Sequence, residues 1–207
     1  MIGPSAPAPF GPRGMETNDT GGGMRSFAFV PTVLALLLAQ SCLPPSVRAA
    51  EPVVAVEQLD ITRYAGEWHE IARLPLFYQR HCKREITAQY TLRDDGLVGV
   101  RNRCIDEDGE VEEVDGIARQ DAERPGRLEV RFAPDWLSWL PLTWADYWVI
   151  ALDPDYQWAM VGEPGHEYLW ILSRTPDMPR ARFEELKSRA VSMGYDLDEL
   201  IVSAPLR

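Results

Sequence analysis

Ile86-Thr87-Ala88-Gln89-Tyr90-Thr91-Leu92 alternates apolar and polar residues without a fault, and Asp94-Asp95-Gly96 follows at once. Period-two alternation marks a strand with one buried face, here Ile86, Ala88, Tyr90 and Leu92. An Asp-Gly turn between two such runs makes a hairpin. The return strand is Val98-Gly99-Val100-Arg101-Asn102-Arg103-Cys104, with Val98, Val100, Asn102 and Cys104 inward.

The same pattern continues on both sides of this hairpin. Turn signals recur at Asp108-Gly109, Arg124-Pro125-Gly126, Asp153-Pro154-Asp155 and Glu163-Pro164-Gly165. Strands are expected between them at Val111 to Gln120, Arg127 to Phe132, Ala145 to Leu152, Gln157 to Val161 and Glu167 to Ser173. With Trp68 to Arg73 they make eight consecutive strands on short connections. That predicts an all-β fold, an eight-stranded antiparallel up-and-down barrel, wide enough to hold one small ligand. Arg180 to Met193 carries the one long helical pattern, with Phe183, Leu186, Ala190 and Met193 on one face and Gly194 as its C-terminal stop. It is expected to pack on the outside of the barrel.

The chain has 207 residues, 45% of them hydrophobic, and a formal charge of −11. An acidic surface argues against nucleic acid, because phosphate binding needs clustered Lys and Arg. Residues 1–23 hold Pro4, Pro7, Pro9, Pro12 and Gly21-Gly22-Gly23, a composition that buries nothing, and read as a disordered leader upstream of a second start at Met24. Residues 24–50 read as a signal peptide: Arg25 is the positive region, and the apolar run from Phe27 to Ala39 is too short to span a bilayer. Two processing sites compete. Val47-Arg48-Ala49 suits a soluble exported protein, whereas Leu38-Ala39-Gln40-Ser41-Cys42 resembles a lipoprotein box in which Cys42 would be acylated. Either way the protein is exported, to the periplasm or the outer membrane, and residues 51–207 form the folded domain.

That domain keeps two cysteines, Cys82 and Cys104, which are expected to pair in an oxidising compartment. His69, His81 and His166 are too scattered to suggest a metal site, and there is no glycine-rich phosphate loop, so no metal, zinc or redox cofactor is expected.

Gly66-Glu67-Trp68-His69-Glu70-Ile71-Ala72-Arg73, after Leu59-Asp60-Ile61-Thr62-Arg63-Tyr64, resembles the Gly-x-Trp signature of the lipocalins. Asp153-Pro154-Asp155-Tyr156-Gln157-Trp158-Ala159 resembles the second motif of that family. Tyr168-Leu169-Trp170-Ile171-Leu172-Ser173-Arg174-Thr175-Pro176 resembles the third. The likeness runs over roughly residues 56 to 202 and is strongest to the bacterial lipocalins of the outer-membrane lipoprotein type, with apolipoprotein D as the vertebrate cousin.

The resemblance implies structural roles for Gly66, Trp68 and Arg174, with the indole plugging the closed end of the barrel and the guanidinium stacked on it. On an alternating strand Glu70 and Ala72 then face inward with Trp68. A carboxylate there must be satisfied by an interior Arg, by Asn102 or by water, or else it anchors a ligand's polar end. No second carboxylate can be paired with it, so no catalytic residues are assigned. The ligand-binding set is Glu70, Ala72, Ile86, Ala88, Tyr90, Val100 and Asn102, continued by Val130 and Phe132 and by Trp136, Trp139 and Trp144. The last three lie in a connection, Asp135 to Trp144, that should be polar and is not. It reads as a lid over the ligand, a membrane contact or a surface for a second subunit, with packing on the barrel's own outer wall as the plain alternative.

Two functional classes follow from the resemblance. One is a carrier of small hydrophobic ligands, fatty acids or lysophospholipids, at the bacterial cell envelope. The other is a lipid-modifying enzyme of isomerase or de-epoxidase type. Pairing of the cysteines would remove the one thiol candidate, which favours the carrier.

Overall fold

The computed structural model describes residues 50–132 and 144–207. Strands β1 (Gly66–Arg73), β2 (Arg84–Leu92), β3 (Val98–Ile105), β4 (Val111–Gln120), β5 (Arg127–Arg131), β6 (Ala145–Leu152), β7 (Trp158–Gly162) and β8 (Leu169–Ser173) follow one another along the chain. Each pairs antiparallel with the next, and β1 pairs with both β2 and β8, which closes the ring. The first hairpin is in register as its alternation requires, with Ala88 opposite Asn102 and Tyr90 opposite Val100.

Two apolar clusters divide along the strands. Trp68, Tyr90, Val98, Val100, Val149, Ala159 and Val161 pack inside the barrel. Ile71, Ile150, Met160 and Ile171 project the other way and are covered by helix α2 (Arg180–Ser192) through Phe183, Leu186 and Ala190. Met160 between Ala159 and Val161 shows the period-two division in three consecutive residues. A fully buried Leu or Phe contributes about 1.5–3 kcal/mol, so this face fixes the helix. Gly194, at φ +95°, ends it in the left-handed region that glycine enters without strain.

Three short elements carry no periodic signal. Helix α1 (Ile61–Tyr64) is capped by Asp60, whose carboxylate accepts from the Thr62 and Arg63 amides. A 3₁₀ turn, Phe77–Gln79, lies in the first connection, and β9 (Ile201–Val202) adds to β1. Leu92, expected inward at the end of β2, is exposed.

Ala72 corrects the sequence expectation. The register of β1 against β8 shifts between Glu70 and Ala72, so Ile71 and Ala72 both join the cluster under α2. A bulge inserts one residue and reverses the inward set beyond it. Arg73, not Ala72, then turns inward after Glu70.

Candidate functional site

One end of the barrel is shut by Trp68. Its ring is wholly buried, and its indole N–H donates to the Tyr64 carbonyl at 2.8 Å. The Arg174 guanidinium lies 3.8 Å over that ring and donates to the carbonyls of Arg63, Tyr64, Ala65, Glu67 and Tyr156. One planar cation thus ties β8 to α1, to the start of β1 and to the β6–β7 turn. Gly66 sits at φ +100°, and a Cβ there would stand 3.2 Å from Arg174 Nη1, so glycine answers both the conformation and the approach. Tyr156, in the β6–β7 turn, receives the Asp60 amide on its hydroxyl and the Arg63 guanidinium 4.0 Å over its ring. All three sequence motifs therefore meet at this end.

Away from Trp68 the barrel encloses a cavity of about 320 Å³. Of the residues expected at a ligand, Glu70, Ile86, Ala88, Tyr90, Val100, Asn102, Val130 and Phe132 line it. Ala72 does not, for the reason given. Nor does Trp144, whose indole lies under Arg119 at 4.3 Å and 5.2 Å from Arg131, side chains that alternate with the inward Ala118 and Val130. Trp144 thus stands against side chains of the barrel's outer face. Trp136 and Trp139 lie outside the described residues, as does Cys42.

Tyr147 and Trp170 line the cavity and were missed. Tyr147 was legible, being in step with the inward Val149 on β6; Trp170 stood in the third motif. Tyr78, Gln79 and Tyr168 come from connections, where no periodicity points. Together the rings form a column along the wall: Trp68–Tyr64, Tyr64–Tyr90, Tyr90–Tyr147, Tyr147–Trp170 and Trp170–Tyr168, with centroids 5.0, 5.6, 6.1, 6.4 and 6.0 Å apart. Within it, the Tyr147 hydroxyl is 2.8 Å from those of both Tyr64 and Tyr90. Burial pushes the Tyr90 hydroxyl up to about 12 and those of Tyr64 and Tyr147 well above the ordinary tyrosine range, so all three stay protonated at neutral pH.

Glu70 faces the cavity with its charge met from within the protein. Its Oε1 accepts from Arg73 Nη1 at 2.5 Å and from Ser203 Oγ at 2.6 Å; its Oε2 accepts from Gln79 Nε2 at 2.6 Å. Arg73 also donates to the Gln79 and Cys82 carbonyls, which fastens the first connection to the barrel. Cys82 and Cys104 form a disulfide, with Cα atoms 5.5 Å apart. Among the described residues, the one cluster of metal-ligating types, His81 with these cysteines, has both sulfurs in that bond.

Beside the mouth lies a second hollow of about 420 Å³, which shares Tyr78, Gln79, Ile86, Asn102 and Phe132 with the first. It differs in carrying charge of both signs, from Arg103, Glu112 and Glu113. Tyr78 and Phe132, common to both, are exposed, and so are Phe77, Val111 and Val114 nearby.

A family model described as a lipocalin-like domain matches residues 59–205. Temperature-induced lipocalin-1 of Arabidopsis thaliana is 38% identical over 70% of this chain and 78% of its own. Outer membrane lipoprotein Blc of Escherichia coli is 34% identical over 86% of this chain and 96% of its own. In fold, the chain resembles insecticyanin of the tobacco hornworm Manduca sexta, with a TM-score of 0.56 at 21% identity over 76% of this chain and 92% of that one.

Proposed function

The chain belongs to the lipocalin-like family, whose members bind small hydrophobic ligands, and we propose that it carries single-chain lipids, fatty acids or lysophospholipids, at the bacterial cell envelope. The observation that carries this reading is the pair of joined hollows. The first is walled by aromatic and aliphatic side chains and takes an acyl chain; burial of each methylene there is worth about 0.8 kcal/mol. The second, at the mouth, offers Arg103 beside Glu112 and Glu113 to a zwitterionic head group. Carriage without turnover fits the spent chemistry of the site, since both oxygens of Glu70 are engaged and both cysteines are bonded.

The envelope location has its own support. The match to the outer membrane lipoprotein spans 86% of this chain, more than everything after residue 49, so it reaches into the leader. That favours acylation of Cys42 over cleavage after Ala49. We place the exposed apolar rim of Phe77, Tyr78 and Phe132 toward the membrane from which lipid is taken.

Native mass spectrometry of the protein purified from its own membranes tests the reading. A 1:1 complex with a fatty acid or lysophospholipid is expected. Protein that carries no lipid, and takes up neither class from vesicles, overturns it.

A further inference from the structure

The Tyr64–Tyr147–Tyr90 chain contains three hydroxyls and two hydrogen bonds. Each bond uses one O–H, so whichever way the chain is oriented one proton is left over. Among the described residues these hydroxyls make no hydrogen bond beyond the chain itself. Two of the three, Tyr90 and Tyr147, line the cavity, and the Tyr64 ring packs 5.0 Å from the Trp68 plug. A hydroxyl is thus offered at the buried end of a pocket otherwise built for hydrocarbon.

Resting on the carrier reading above, we propose that this buried end is a hydrogen-bond donor site for a neutral oxygen on the leading end of the ligand, such as the carbonyl of an oxidised acyl chain. Charge decides against an anion there. Among the described residues, the charged side chains lining the cavity are Glu70 and Asp146, both acidic, and Glu70 is already paired. Arg174 lies beyond the Trp68 ring and is engaged with five carbonyls, and Arg73 is held by Glu70. A carboxylate at the tyrosines would be desolvated without a counter-ion, whereas a ketone, aldehyde or ester oxygen needs one donor and finds it. The hydroxyls stay neutral over the range in which this matters.

The test compares dodecanoic acid with 11-oxododecanoic acid on the purified full-length protein and on Tyr64→Phe/Tyr90→Phe/Tyr147→Phe, which leaves no hydroxyl orphaned. Loss of the donor should raise the ratio of the oxo acid's Kd to that of the plain acid by about tenfold, the ratio cancelling any general effect of the substitutions on the cavity. Tyr90→Phe/Tyr147→Phe, which strips the cavity-facing hydroxyls alone, should do the same. The infrared carbonyl stretch of isotopically labelled ketone, bound to the unaltered protein, needs no variant and should lie below its frequency in an alkane solvent. A ratio unchanged within twofold, or an alkane-like stretch, overturns the donor site while leaving the carrier intact. If neither acid binds the unaltered protein, the carrier reading falls and the donor site with it.

Discussion

Glu70 and Arg73 meet inside the barrel at 2.5 Å although they stand three positions apart on one strand. On a regular strand such a pair points to opposite faces. The bulge between Glu70 and Ala72 turns Arg73 inward, and both side chains are almost wholly buried. Breaking such a pair from one side strands a buried charge, which costs about 3–5 kcal/mol. Glu70→Gln and Arg73→Met should each fall in that range by urea unfolding. The double substitution should cost much less than their sum; strict additivity would refute the coupling.

The clasp at the closed end makes a second pair. Trp68→Ala should cost about 3–5 kcal/mol through the cavity it leaves. Arg174→Ala should cost about 1.5–3 kcal/mol, because backbone carbonyls lose a charged donor. In a double-mutant cycle the losses should again fall short of their sum, since each residue holds the other in place. Independent losses would show that the stacked cation contributes nothing through the indole.

Cys82–Cys104 closes a segment with a sequence separation of 22, worth about 3 kcal/mol in the chain-entropy picture. Denatured, unreduced protein should show no reactive thiol in the folded domain. Reduction should lower the melting temperature. It should also loosen the first connection, since Arg73 holds the Cys82 carbonyl and Gln79 holds Glu70. Two free thiols, or a melting temperature indifferent to reductant, would contradict this.

The tyrosine column predicts an alkaline limit. Tyr90 ionises near 12 in the folded protein against 10.0 for an ordinary tyrosine, so the folded state keeps a proton that the unfolded chain releases. Stability is then whole below about pH 10 and falls as pH rises toward 12, by about 2–3 kcal/mol for this group. The triple Phe variant should lose less stability over that interval than the unaltered protein. Equal slopes would mean that the buried hydroxyls do not govern it.

What could be read in the sequence follows the physics of each feature. Alternation reports which face of a strand is buried, so the eight strands, the helix and most of the cavity wall were legible, down to Ala88, Tyr90, Val100 and Asn102. A bulge leaves the residue types unchanged and only shifts their phase, so nothing in Glu70-Ile71-Ala72-Arg73 announced that Arg73 would replace Ala72 inside. Helix α1 and β9 are too short to carry a period. Trp144 misled because an exposed-looking tryptophan reads alike whether it meets a ligand or, as here, lies under Arg119 on the outer wall.

The cavity itself is tested most directly by filling it. Val130 lines it, and its strand partners on either side are the small Ala118 and Ala145, which leave room for a larger ring. The measurement is equilibrium binding of lysophosphatidylcholine to Val130→Trp, with circular dichroism confirming the barrel. The account predicts saturable 1:1 binding by the unaltered protein and loss of at least tenfold in affinity by the filled variant. Undiminished binding by a folded Val130→Trp would place the lipid somewhere other than the barrel and contradict the account.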